Sequence, residues 1–193
     1  MGDASSNVEA IASTAVVDAV LGGRARMLDE PFQVQRGVQV PPGTFNFNEW
    51  EFTYNTNPAR RVYGRFTFEP NQFYDGTSRN VSAATGVRVT SRLSSELQYT
   101  RNDVELHGGG FVLDLAVLRV DYAFSPRMTL RSLTQYNSSS HELSSSIRFN
   151  YTYRPGSDLY IVYNDLRPTG LPPGTFGPSD RQLVLKLNYM LAW

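Results

Sequence analysis

The residues best suited to chemistry are few and lie close together. His107 and His141 are the only two histidines, and Asp103, Glu105, Glu142 and the run Ser138-Ser139-Ser140 stand near them in the sequence. An imidazole base, a carboxylate to orient it and a hydroxyl nucleophile are the parts of a serine or aspartate hydrolase. Nothing in their spacing forms a motif that needs such chemistry, and all are ordinary residues of loops and rims. The expectation is therefore no catalytic residue and no enzyme. One observation would speak for a hydrolase: a histidine ring nitrogen within ~3 Å of a serine hydroxyl or carboxylate. Metal and phosphate chemistry are no better represented. The chain has no cysteine and no His-x-x-x-His pair, and Asn102, Asp103 and Glu105 are only a weak calcium set. Gly108-Gly109-Gly110 precedes no helix that could offer its N-terminus to a phosphate, and reads as a loop tip. No metal and no cofactor is expected.

Composition narrows the field further. Eighteen basic and eighteen acidic residues among 193 cancel, so no net field recruits nucleic acid, and none is expected as a partner. No run of eighteen apolar residues exists, which excludes a membrane-spanning helix and leaves a closed β-barrel as the only way to cross a bilayer. An apolar content of 40% suits a barrel in which alternate residues face lipid.

The strongest pattern is at the carboxyl end. Leu183, Leu185, Leu187, Tyr189, Leu191 and Trp193 share one side of a two-residue period, with Lys186 and Asn188 on the other. A strand with one unbroken apolar face and an aromatic end is what an outer-membrane barrel needs, and Tyr189, Leu191 and Trp193 are the expected barrel-assembly signal. The same period runs through most of the chain. Strands are expected near 31–39, 44–55, 60–69, 78–90, 92–101, 111–124, 127–137, 142–154, 157–167 and 181–193, about ten in all. A β-bulge is expected near Val117, where the apolar parity switches from Leu113, Leu115 and Val117 to Leu118 and Val120.

Residues 5–21 read as the one short helix, with Ser6 and Glu9 spaced as a capping box and Gly22-Gly23 as its stop. This gives two regions: an N-terminal segment, 1–27, and the barrel, 28–193. A secretion signal would be expected ahead of a barrel, yet Asp3, Glu9 and Asp18 stand where an apolar core should be. Either a signal has been removed or the chain is the carboxyl-terminal piece of a longer protein. With Trp193 periplasmic, the inner turns become Asn55–Ala59, Thr90–Ser91, Ser125–Pro126 and Pro155–Gly156. The outer loops become Pro41–Gly43, Pro70–Thr77, Asn102–Gly110, Ser138–His141 and Pro168–Asp180, mostly longer, as this class requires.

Alternation alone does not say which face is inside, because a soluble barrel hides its apolar face and wets the polar one. Three features favour lipid outside: strands of about eleven to thirteen residues, apolar rows ending in aromatics, and the terminal Trp193. The lumen then receives Glu51, Arg65, Arg88, Glu96, Arg119, Asp121, Arg131, Arg148 and Lys186. Both signs are present, and ten strands enclose little more than side chains fill, so these charges are expected to pair across a narrow or filled interior.

Several segments carry a resemblance. Leu28-Asp-Glu-Pro-Phe-Gln-Val, Val40-Pro-Pro-Gly-Thr-Phe, Asn57-Pro-Ala-Arg-Arg, Phe73-Tyr-Asp-Gly, Leu118-Arg-Val-Asp-Tyr-Ala-Phe-Ser-Pro-Arg and Tyr153-Arg-Pro-Gly-Ser-Asp-Leu-Tyr-Ile-Val-Tyr-Asn resemble the carboxyl-terminal barrel of a family of bacterial outer-membrane proteins. Its members usually carry an N-terminal carbohydrate-binding module of the family 9 type, which is absent here. The resemblance implies an outer-membrane barrel of a Gram-negative bacterium, with no defined biochemical activity. The expected function is binding or passage of small polar solutes, saccharides among them, with Phe73, Tyr74 and Phe176 as candidate sugar-stacking aromatics. A structural barrel piece that completes a larger membrane complex is the first alternative, and a rim hydrolase the second. The expected partners are the lipid bilayer, lipopolysaccharide and, through the C-terminal strand, the barrel-assembly machinery.

Overall fold

The computed structural model describes residues 15–35, 37–170 and 180–190. Its elements are β1 (Val16–Leu28), β2 (Phe32–Gln35), β3 (Val38–Val40), β4 (Gly43–Asn55), β5 (Val62–Phe73), β6 (Gly76–Arg88), β7 (Leu93–Leu106), β8 (Gly109–Ser125), β9 (Met128–Asn137), β10 (Glu142–Arg154), β11 (Ser157–Pro168) and β12 (Asp180–Asn188). Ten of these form one antiparallel up-and-down sheet in the order β1-β4-β5-β6-β7-β8-β9-β10-β11-β12, and β2 and β3 pair separately. The fold is all-β and antiparallel, with no helix among the described residues.

The expected helix over 5–21 is corrected in its described part. Val16 to Leu21 belong to β1, which pairs residue for residue with β4 from Val16↔Asn55 to Leu28↔Gly43. Residues 5–14, with the proposed capping box, lie outside the described residues. The physical reason lies in the side chains and in the partner. Val16, Val17 and Val20 are β-branched and restricted at χ1 in a helix, while thirteen lateral pairings with β4 bond the backbone groups on the β4 side along the whole stretch. Gly22 and Gly23 do not stop the element, since a strand accepts them where a helix would end. The sheet thus begins at Val16 rather than at residue 28.

A second correction concerns 31–39. It is not a strand of the large sheet but most of a hairpin, β2–β3, turned at Gly37, whose φ of 82° suits glycine. The chain still supplies ten sheet strands, because β1 takes the place this segment was expected to fill. The outer loops are also shorter than expected. β5 runs through Pro70 to Phe73, and β7 runs to Leu106, leaving two-residue turns at 74–75 and 107–108. Tyr74 adopts φ 51° in the first of them. Only the 29–42 and 169–179 connections remain long on that side, so most of the expected length asymmetry disappears.

The chain divides into two compact units. Unit 1 contains 1–85 and 99–113, and unit 2 contains 86–98 and 114–193. In unit 1, Trp50, Phe52 and Tyr54 fall on one face of β4, opposite Leu21, Ala19 and Val17 of β1, and Phe52 and Tyr54 meet Phe68 and Phe66 of β5. Trp50 and Phe52 stack at 6.2 Å. The other face of β4 carries Phe45, Phe47, Glu49, Glu51 and Thr53, and its Phe45–Phe47 end is covered. There Val38 and Val40 of the hairpin join Tyr74, Val104 and Leu106 in a buried apolar cluster, with Phe45, Phe47 and Phe73 packed around it. Tyr74 meets the rings of Phe45, Phe47 and Phe73 edge to face at 5.3, 5.4 and 4.8 Å, and its hydroxyl accepts a hydrogen bond from Arg26 at 2.9 Å. A Cβ on Gly76 would sit 1.9 Å from the Glu105 carbonyl oxygen, so the tight β5–β6 turn tolerates no side chain there.

Pro70 interrupts the β4–β5 ladder, as proline must, since it brings no N–H. Regular pairing is confined to Phe52↔Phe68 through Asn55↔Arg65. Beyond it, side chains take over from backbone: the Trp50 amide donates to Asn71 Oδ1 at 2.6 Å and the Asn48 amide to Gln72 Oε1 at 3.1 Å.

In unit 2, Leu118, Val120 and Tyr122 of β8 face Thr134, Ser132 and Leu130 of β9, which face Ser145, Ile147 and Phe149 of β10. Tyr163 and Ile161 of β11, then Leu183 and Leu185 of β12, continue the rows. The expected bulge near Val117 is not found in the pairing with β9, which runs unbroken from Leu115 to Ala123 and slips only between Ala123 and Ser125. Val117 shares the parity of Arg119 and Asp121 and is buried, so the register with β9 holds without an extra residue there.

Because the chain has no cysteine, single cysteines placed from position 16 to 23 in turn will report the state of this stretch cleanly. Thiol labelling in lipid vesicles should rise and fall with a period of two residues, and a period near 3.6 would restore the helix.

Candidate functional site

The structure's polar face is built strand by strand from the residues that alternate with the apolar rows. In unit 1 it holds Glu51 and Arg65. The Thr53 hydroxyl donates to Glu51 Oε1 at 3.0 Å, and Arg65 Nε donates to Asn55 Oδ1 at 2.7 Å from the directly opposite position. Arg24 adds a further pair, with Nε 3.3 Å from Glu49 Oε2; it lies in the segment 1–27 that is expected to precede the barrel.

Unit 2 gathers the larger cluster. Arg119 Nη1 donates to Glu96 Oε1 at 2.8 Å, and Arg131 Nε lies 3.3 Å from Asp121 Oδ1 directly across the β8–β9 ladder. Arg148 stands directly opposite Arg131 across β9–β10 and opposite Val162 on its other side. Arg119, Asp121, Arg131, Ser146 and Arg148 line a hollow of about 240 Å³. A second hollow, about 620 Å³, is lined by Arg88, Arg92, Asp121 and Arg131 among others, near the 89–92 turn. Lys186 lies opposite Tyr160 in the β11–β12 ladder, away from both hollows. Of the nine residues expected on one face, six meet in unit 2 through these ion pairs and hollows: Arg88, Glu96, Arg119, Asp121, Arg131 and Arg148.

The apolar side carries a charged group that the sequence reading passed over. Asp165, 7% exposed, is held between Arg167, with which it forms a close ion pair, and Arg181, whose Nε is 3.0 Å from its Oδ1. Its parity with Tyr163 and Ile161 was legible in the sequence, and it places these charges above the apolar rows of β11 and β12.

The hydrolase parts do not converge in the way required. His107 Nδ1 contacts the Asp75 backbone carbonyl at 2.6 Å and is 3.7 Å from the Asp75 carboxylate, not beside Asp103, Glu105 or a serine hydroxyl. Ser138 Oγ accepts from the Asp114 amide at 2.7 Å. His141 takes φ 52° at the β9–β10 turn. Asn102 Oδ1 accepts from Ser78 Oγ at 3.0 Å, and no group of three His, Asp or Glu side chains suited to a metal occurs among the described residues. Gly109 and Gly110 belong to β8 rather than to a loop tip. Of the candidate sugar-stacking residues, Tyr74 is 8% exposed within the aromatic cluster, Phe73 packs against it, and Phe176 lies outside the described residues. Tyr189 follows β12 and is exposed, while Leu191 and Trp193 also lie outside the described residues.

The Arg119 and Glu96 side chains are 49% and 33% exposed, so water screens their attraction. A double-mutant cycle over Arg119→Gln and Glu96→Gln, measured by urea unfolding from lipid vesicles, should return a coupling of about 1 kcal/mol or less. A coupling of several kcal/mol would mean that the pair is shut off from water.

The chain matches no family model and no curated protein. Among solved structures it is similar to the NanC porin in its rhombohedral crystal form, with a TM-score of 0.45 and 15% identity, over 90% of this chain and 99% of that one.

Proposed function

We propose that the protein is an outer-membrane β-barrel that binds or passes small polar solutes through its polar interior, without catalysis. One observation carries the reading: the distribution of apolar side chains between surface and core. Among the described residues only six hydrophobic side chains are buried, Val38, Val40, Tyr74, Val104, Leu106 and Val117. Large ones stand exposed in rows instead, including Trp50 at 44%, Phe66 at 45%, Leu183 at 70% and Leu185 at 69%. In water such rows would be an aggregation surface, whereas in a bilayer they are the face that hydrocarbon covers. The opposite face, with its ion pairs and hydroxyls, is then the one in contact with water and solute. Lipid and lipopolysaccharide are the natural partners of the first face. The barrel-assembly machinery would read the C-terminal strand, and saccharides fall within the class of solutes the second face could admit.

Purified chain folded into planar bilayers should give small, discrete conductance steps, because ion-paired arginines and carboxylates narrow the interior. Bilayers that stay silent while the folded protein is inserted would remove passage from the function.

A second reading, a barrel piece within a larger membrane complex, is favoured by the end strands. β1 and β12 are the two ends of the sheet order, and nearly every residue of each is exposed. An accessible strand edge invites another strand. Native mass spectrometry from detergent micelles should show the monomer if the chain acts alone, and a fixed multiple if it completes an assembly.

A further inference from the structure

The row Asp121–Arg131–Arg148–Val162 runs straight across four strands of unit 2. In it two arginines occupy directly opposed positions, and like charges set directly across a ladder cost stability. Asp121 answers Arg131 at 3.3 Å, and the neighbouring carboxylate, Glu96, is taken by Arg119 at 2.8 Å. No carboxylate pairs with Arg148 among the described residues. The row therefore carries one more positive charge than its side chains neutralise. That surplus borders a hollow of about 240 Å³, with the Ser146 hydroxyl two positions from Arg148 on the same face.

We propose that Arg131 and Arg148 form a binding site for a small solute bearing a carboxylate or phosphate group. A guanidinium presents five N–H donors in a planar fork suited to two anionic oxygens. Arg131 uses its Nε toward Asp121, which leaves its terminal nitrogens for a ligand, and Arg148 brings the whole fork. A bound anion would relieve the repulsion between the two arginines, so ligand binding and local stability are coupled. A neutral polar solute would gain no such charge-assisted bonds. The inference deepens the solute-handling reading above and narrows its solutes to anions.

Titration calorimetry on the full chain in neutral detergent micelles at low ionic strength provides the test, with inorganic phosphate and glucuronate as probes and glucose as the uncharged control. Both anions should bind and glucose should not. Arg148→Gln should weaken anion binding on the order of tenfold, the loss of a charge-assisted contact. Asp121→Asn should strengthen it severalfold, because it releases Arg131, and a misfolded variant would not do that. Arg167→Gln, on the other face, should leave it unchanged. Unchanged affinity in both Arg148→Gln and Asp121→Asn, or glucose binding as well as glucuronate, would overturn the site. Binding in micelles does not require conduction, so silent bilayers with intact anion binding refute passage alone, and conducting bilayers without anion binding refute the site alone.

Discussion

The lateral hydrogen-bond ladder is the constraint on which the other features depend. Each strand of the large sheet bonds its backbone to the strands beside it, which fixes the side chains to a two-residue alternation with an apolar and a polar side. Where the regular β4–β5 pairing ends, the structure repairs it locally: the Asn71 and Gln72 side chains accept from the Trp50 and Asn48 amides of β4. Where the polar face turns apolar, at Phe45 and Phe47, the β2–β3 hairpin folds over it and buries Val38 and Val40. Both departures are consequences of keeping backbone polar groups bonded and apolar surface covered.

The same alternation decides what charge can do. Residues two apart on one strand share a face, and residues directly across the ladder touch, so a carboxylate opposite an arginine is neutralised and an arginine opposite an arginine is not. Asp121↔Arg131 is the first case and Arg131↔Arg148 the second. Neither pairing is visible in composition, which balances at eighteen of each sign. A chain without net charge can still hold a local cationic site, because register concentrates what the totals cancel. On the other face, Asp165 held by Arg167 and Arg181 keeps three charges together at the margin of the apolar rows.

How far the sequence is legible follows from the range of the forces involved. Strands 43–55, 142–154 and 157–168 were readable almost to the residue, because alternation is a local signal and turns such as Pro155-Gly156 mark their ends. The alternation that sets Glu51, Arg119 and Arg148 apart from the apolar residues of their own strands is a local signal of the same kind. Residues 16–21 were not: small and aliphatic side chains at three- and four-residue spacings imitate a helix face, and only the pairing with β4, a contact between segments far apart in sequence, settles them as strand. The hairpin over 32–40 and the two-residue turns at 74–75 and 107–108 were likewise hidden, since they are fixed by what they pack against. The convergence of Glu96, Arg119, Asp121, Arg131 and Arg148 required register, which periodicity alone does not supply.

The central claim is that the exposed apolar rows face hydrocarbon. Trp50 begins the exposed Trp50–Phe52–Tyr54 row of β4 and is one of two tryptophans, so Trp193→Phe leaves it as the sole indole probe. Its fluorescence in vesicles of lipids brominated along the acyl chain tests the claim most directly. Strong quenching by the brominated chains, with little effect from a water-soluble quencher, is the result this account predicts. An indole untouched by brominated lipid and quenched from the aqueous phase would contradict it.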